Sequence, residues 1–326
     1  MATIRDVAQK AGVSAATVSR YLNKKGYISD DAKRVIAAAI EELNYRPSMI
    51  ARSLSTKQTT FIGLIVPDIV NPFFPELARA IEDVALASGY TIVLCNSDEK
   101  IEKEIHYLTT LQQKYAAGFI VVTSNAEADH YTTLDIPIVA VDRRIHSSIP
   151  FVATDNREGA RIGVEHLLAS GCQSILCMRG PAEVGPANDR FLGFIDAVEG
   201  KVIETHVVEC PFQFEASELA AREQLERQSI DGIFASSDVS AAGAMKAAYS
   251  LGIKIPDQLQ IVGYDGTMLA GQLTPSLTTV AQDVYKIGTL AARMLIKLIE
   301  GQEVTEREIQ IPAELIIRET TRSEAQ

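Results

Sequence analysis

Only four of the 326 residues are cysteine, and no two of them form a C-x-x-C pair. That excludes a paired-thiol redox or zinc motif. Cys95, Cys172, Cys177 and Cys210 each lie in or beside an apolar run, as reduced, buried thiols do, and a reducing cytoplasm is the expected compartment. Long apolar runs are also missing. FIGLIV at 61–66 is far too short to cross a bilayer, so no membrane role is expected. Residues 1–10 carry Arg5, Asp6 and Lys10 and have no apolar stretch of the secretory-signal kind.

Catalytic signatures are equally scarce. No G-x-G-x-x-G follows the first apolar strand, and neither G-x-x-x-x-G-K-[ST] nor G-x-S-x-G occurs. Five histidines (106, 130, 146, 166, 206) are scattered without H-E-x-x-H spacing, so neither a metal nor a cofactor is expected. His166 reads as a polar-face helical residue. Asp30-Asp31 and Glu41-Glu42 read as helix-start and solvated-face charges. An α/β enzyme acting on a sugar therefore stands as the weaker alternative, and a non-enzyme is expected.

What the chain does have is a charge asymmetry. Its net charge is −11, yet residues 1–60 hold ten Lys/Arg against five Asp/Glu. A basic head on an acidic body is the pattern expected where one end meets phosphates, although a solvated basic face carries the same charge. At this length two or three domains are expected.

The head has three helical stretches. Thr3 is placed to cap a helix Ile4–Ala11, with Asp6 three residues on. Gly12 supplies a turn, and Ser14 caps a second helix to about Leu22. Val7, Ala8, Ala11, Val13, Val18 and Leu22 form a small core. A third helix to Leu43 adds Ala32, Val35, Ile36 and Ala39. Helix, tight turn, helix and brace make a helix-turn-helix. Ser14, Thr17, Ser19 and Asn23 supply short donors for phosphate oxygens, and Arg20 has the fork to read guanine.

ATIRDVAQKAGVSAATVSRYLN at 2–23, followed by LNYRPSMIARSLST at 43–56, resembles the amino-terminal region of the LacI/GalR repressor family. The resemblance implies that Ala15, Ala16 and Arg20 face the bases, within a DNA-binding set that also takes in Thr3. It assigns Ala51 and Leu54 to a hinge helix that orders on operator DNA, Leu54 wedging into a base step from the minor groove. Small side chains at 15 and 16 allow close approach to the groove floor but leave the hydrogen bonding to Arg20. The expected divisions are a helix-turn-helix domain over 1–46, a hinge over 47–59 and a core over 60–326.

From residue 61 short apolar strands alternate with amphipathic helices, which predicts parallel sheets covered on both faces. About ten such units are too many for one ordinary sheet, so two doubly wound subdomains are expected. They span about 60–157 with 284–307, and about 158–283 with 308–326. Ligands in such folds sit beyond the carboxyl ends of strands. Polar residues collect there: Asn71, Asn96, Asp98, Asp142, Arg143, Asp155, Ser237, Asp238, Asp265 and Gln282, with Arg190 read as the start of a helix. Asp and Arg hold vicinal hydroxyls, and aromatic rings pack on sugar faces.

This body is similar to the family's effector-binding core, itself similar to periplasmic sugar-binding proteins. NPFF at 71–74, VDR at 141–143, DRFLGF at 189–194, GYDGT at 263–267 and AQ at 281–282 are similar to ribose-binding patterns. The resemblance implies that Phe73, Phe74 and Phe214 sandwich the sugar, while Asp142, Arg143, Arg190, Ser237, Asp265 and Gln282 line its hydroxyls. One departure stands: Ser237 occupies a place where ribose binders carry Asn. D-ribose is the implied effector, and members responding to fructose or sucrose share GYDGT-like stretches. The same resemblance implies a homodimer on pseudo-palindromic double-stranded DNA, with a phosphocarrier-type co-regulator as a further partner. No heptad tail follows Thr321, which fits a dimer.

Overall fold

A computed structural model describes residues 2–22, 26–45, 59–123 and 129–322. Asn23 and most of the expected hinge, with Ala51 and Leu54, lie outside the described residues. The chain divides into two units, Met1–Thr59 and Thr60–Gln326.

In the first unit, local chemistry fixes each helix end. Thr3 Oγ1 accepts from the Asp6 N–H at 3.3 Å while Asp6 Oδ2 accepts from the Thr3 N–H at 2.7 Å, a reciprocal cap on α1 (Ile4–Ala11). Gly12 ends α1 at φ +65°, a left-handed position that costs glycine nothing. Ser14 Oγ then accepts from the Thr17 N–H at 3.1 Å and starts α2 (Ala15–Leu22). Ser29 does the same for α3 (Asp30–Glu42) through the Ala32 N–H. Val7, Ala8, Val18, Ile36 and Ala39 are the buried core of this unit. Val35, expected in that core, is exposed, and Tyr45 packs against the core instead.

The second unit contains two six-stranded sheets. The first is built from β1 (Phe61–Val66), β2 (Thr91–Asn96), β3 (Gly118–Val121), β4 (Ile138–Val141), β5 (Phe151–Thr154) and β11 (Glu308–Ile311). Its order is β11-β5-β4-β3-β1-β2, with every pairing parallel. The second comprises β6 (Ser174–Arg179), β7 (Glu204–Glu209), β8 (Gly232–Ala235), β9 (Gln260–Asp265), β10 (Thr278–Ala281) and β12 (Glu314–Ile316). Its order is β12-β10-β9-β8-β6-β7, antiparallel only at β10–β12. The two orders are the same pattern used twice, so β4 and β9 occupy equivalent places.

The chain crosses between sheets after β5, after β10 and after β11. β11 pairs with β5 from Glu308↔Phe151 to Ile311↔Thr154, so the last crossing follows Ile311 and not residue 307 as the sequence suggested. Strands β3, β4 and β5 are buried along their whole length, as parallel strands covered on both faces must be. Helices α4 (Phe73–Ala87) and α10 (Val284–Ile299) cover one face of the first sheet through Leu77, Ile81, Ile287, Ala291 and Leu295. Helices α6 (Asn156–Ala169) and α7 (Gly185–Val198) cover one face of the second. On its other side lie α8 (Phe214–Arg227) and α9 (Asp238–Ser250). A further helix, α5 (Ile101–Gln113), packs on the first sheet through Leu108.

All four cysteines are buried and free. His166 is buried as well, its Nε2 2.9 Å from Thr321 Oγ1, and so is not the polar-face residue its sequence context suggested. Among the described residues no helix is long and apolar enough to cross a membrane.

Candidate functional site

Two regions concentrate the residues singled out from the sequence. On the second helix of the first unit, Ala16 and Arg20 are exposed and lie one turn apart on one face. Ala15 is partly buried against the unit's core. The hydroxyls of Thr3 and Ser14 cap helices, that of Thr17 lies 2.9 Å from Ser14 Oγ, and Thr3 Oγ1 donates to Asp6 at 2.9 Å. Ser19 sits partly buried beside Arg20.

The second region is a cleft of about 280 Å³ at the carboxyl ends of the strands of both sheets. It brings together Phe73, Phe74, Asp142, Arg143, Arg190, Ser237, Asp265 and Gln282, eight of the nine residues expected there. Phe73 and Phe74 stand edge to face with ring centres 5.1 Å apart, presenting an apolar wall. Phe214 does not line the cleft. It is the first residue of α8 and 37% exposed, and the ring on the opposite wall belongs to Phe212. The helix begins at Phe214, so its side chain follows the helical direction and not that of the extended residues before it. Gly180, at the end of β6, leaves the space Phe212 uses: a Cβ there would come within 2.3 Å of the ring. That glycine was the available signal.

Asp142 immediately follows β4 and Asp265 ends β9, the equivalent strand. Both have positive φ, +61° and +110°, conformations that aspartate adopts at a cost. Each carboxylate is thereby turned into the cleft. The Arg190 guanidinium is the hub. Its Nε donates to Asn156 Oδ1 at 2.7 Å and its Nη1 to the Ser236 carbonyl at 2.6 Å, with Asp265 Oδ1 3.2 Å from Nη1. Beneath it, Tyr264 offers a ring face 3.9 Å away. Gln282 Nε2 donates to the same Asp265 oxygen at 2.9 Å. Arg190 does not begin its helix, as its sequence context suggested. α7 starts at Gly185, with Pro186 in its first turn, and Arg190 lies in the second. Arg143 Nη1 donates to the Thr123 carbonyl at 3.0 Å, and Nη2 lies 3.5 Å from Glu99 Oε1.

Burial raises the pKa of Asp265 to about 7, against the opposing pull of Arg190. Burial also raises that of Asp142, against Arg190 and Arg143. Asp238 behaves differently. Although burial raises it to about 6, it faces inward and accepts from the Thr267 N–H, the Thr267 hydroxyl and the Thr279 hydroxyl at 2.6–2.8 Å. It braces the loop after β9. Ser237 lines the cleft while its hydroxyl caps α9 by accepting from the Ser240 N–H at 3.0 Å.

Buried polar atoms normally have partners. Asp142 Oδ1, Arg143 Nε and Gln282 Oε1 have none within the protein, and all three residues line the cleft. Two acceptors and a donor between aromatic walls suit a small polyhydroxyl ligand. Among the described residues no cluster of His, Cys, Asp and Glu is disposed to hold a metal ion.

Both units have matches among known proteins. Residues 3–48 match the model for bacterial regulatory proteins of the lacI family, and residues 164–321 match a periplasmic binding protein-like domain. A ribose operon repressor of Halalkalibacterium halodurans is 54% identical across 99% of this chain and 98% of its own length. The ribose operon repressor of Bacillus subtilis is 38% identical, covering 99% of this chain and all of its own. Among solved structures, the lac repressor dimer bound to operator and the anti-inducer ONPF superposes with a TM-score of 0.88 at 26% identity, over 98% of each chain. A regulator from Enterococcus faecium with bound ribose gives 0.75 at 29% identity, over 82% of this chain and all of that one. A regulator from Alkaliphilus metalliredigens complexed with D-xylulofuranose also gives 0.75, at 37% identity, over 81% and 100%. A helix-turn-helix unit and a two-sheet core with a polar cleft, joined in one chain with relatives matched end to end, place this protein in the LacI family of bacterial transcriptional regulators.

Proposed function

We infer that the chain is a transcriptional repressor that acts as a homodimer on pseudo-palindromic operator DNA in the cytoplasm. A small sugar bound between the two sheet subdomains, D-ribose before others, lowers its operator affinity. The observation that carries the sugar reading is the set of buried, unpartnered atoms on Asp142, Arg143 and Gln282, faced by Phe73, Phe74 and Phe212. Ribose is favoured by the names of the two repressors and by the ribose-bound regulator described above.

Sugar hydroxyls donate to Asp142 and Asp265 and accept from Arg143 and Arg190, charge-assisted bonds that fix both orientation and identity. Because these groups come from both sheets, a bound sugar ties the subdomains together. It favours whichever arrangement lets all of them reach it. On DNA, Ala16 and Arg20 would enter the major groove and Leu54 the minor groove, with the caps at Thr3 and Ser14 holding the helices at their angles.

A second reading is a ketose or a sugar containing a ketose unit: the D-xylulofuranose complex and a sucrose operon repressor of Pediococcus pentosaceus, 36% identical, favour it. Calorimetric titration with D-ribose, D-xylulose, D-fructose and sucrose tests the choice. Tight binding of ribose alone supports the first reading, and binding of a ketose with no response to ribose replaces it.

A further inference from the structure

We propose that the cleft is built for a neutral sugar and rejects the phosphate ester of the same sugar, with Glu99 as the residue that neutralises Arg143 and sets this preference. The inference rests on the sugar-binding reading and sharpens it to a charge class.

A phosphate-binding pocket needs donors or cations left over for the ligand. In charge this cleft has the opposite balance. Its lining holds Asp68, Asp98, Glu99, Asp142 and Asp265 against Arg143 and Arg190. Each arginine already has a carboxylate: Asp265 lies 3.2 Å from Arg190, and Glu99 lies 3.5 Å from Arg143. Asp98 is paired with Lys103 behind the rim. That leaves Asp68 and Asp142 as further acidic groups in the lining with no ion-pair partner of their own among the described residues. The helix start at Gly185 does not offset it, because Pro186 has no N–H and Glu183 and Asp189 stand beside it.

The backbone around Glu99 supports a dedicated role. Asp98 and Glu99 are consecutive non-glycine residues at φ +52° and +55°, in the left-handed region that such residues seldom occupy. Asn96 holds the turn, donating to Asp98 Oδ1 and accepting from the Ile69 N–H at 2.9 Å. The result is a rim that delivers one carboxylate to Nη2 of Arg143. Without it, Arg143 would present a half-free fork to the cleft, the arrangement that receives phosphate.

The test compares D-ribose with D-ribose 5-phosphate by calorimetry on the full chain, in wild type and in Glu99→Gln, at low and high salt. Wild type should bind the phosphate ester roughly 100-fold more weakly than ribose, and the gap should narrow with salt. Glu99→Gln should narrow it about tenfold, with Asp68→Asn as an independent second variant acting in the same direction. Equal affinity for the two ligands in wild type overturns the proposal. An unchanged ratio in both variants, with melting curves like wild type, removes Glu99 and Asp68 from it. If ribose fails to bind but another neutral sugar does, the ribose reading falls, and the same comparison with that sugar's phosphate ester still decides the charge class.

Discussion

Arg190 organises the cleft lining, because five groups converge on it: Asn156, the Ser236 carbonyl, Asp265, the Tyr264 ring and, through space, Asp142. Arg190→Ala should lower sugar affinity by about 100-fold and leave a repressor that stays on operator whatever the sugar concentration. Normal release from DNA by that variant would show that the pocket is misassigned. Asp265 carries a second expectation. Burial raises its pKa, to about 7, so the free protein should take up a proton there as the pH falls through that range. Hydroxyl donors favour the ionised carboxylate, so sugar binding expels that proton. Affinity should therefore fall as pH drops below about 7, and calorimetry near pH 6 in two buffers of different ionisation enthalpy should detect proton release. A buffer-independent enthalpy contradicts this. At this scale the sequence was informative at several positions beyond apolar strands, Asp142, Asp265 and Gln282 among them, but not at Asp155 and Asp238, which cap a helix and brace a loop and do not line the cleft. It was misleading at Phe214, which is already the first residue of a helix and does not line the cleft. Buried partners from distant segments left no local trace, and the Glu104 carboxylate, accepting from Thr123 and Tyr131 at 2.6–2.7 Å, is one.

Elements owe their ends to short-range chemistry, which is why the first two helices were legible from Thr3, Gly12 and Ser14. Ser14→Ala removes the acceptor for the Thr17 N–H and should cost the helix-turn-helix unit about 1 kcal/mol, with weaker operator binding and an unchanged melting transition of the core. An unaltered melt of the isolated first transition would deny the cap that weight. Gly180→Ala acts at the other site. A Cβ 2.3 Å from the Phe212 ring forces that ring to move, so sugar affinity should drop about tenfold while operator binding without sugar persists. Retained sugar affinity would mean that Phe212 is not a wall of the site. The start of α7 was hidden by Pro186, which reads as a loop residue in sequence yet is at home in a helix's first turn. β11 and β12 were also missed, because EIQI and ELI are too short and too polar to signal strands without the neighbours they pair with.

For the whole molecule, the double use of one sheet order matters most. It sets Asp142 and Asp265 at equivalent strand ends facing one cleft, and three crossings of the chain tie the halves together. A ligand held by both halves biases their arrangement only by its differential affinity for the two states, typically 1–3 kcal/mol of coupling. Linkage makes that coupling reciprocal: operator must weaken sugar binding by the factor by which sugar weakens operator binding. The alternation of apolar strands and amphipathic helices made two subdomains legible from sequence, whereas the last crossing was placed four residues early because β11 is visible only through its pairing with β5. The central claim is tested most directly by fluorescence anisotropy of the protein on a labelled palindromic operator from its own promoter, titrated with D-ribose. Release by ribose at micromolar to low-millimolar concentration, and not by sucrose, is the predicted result. Tight operator binding that ignores ribose and every other neutral sugar would contradict the account.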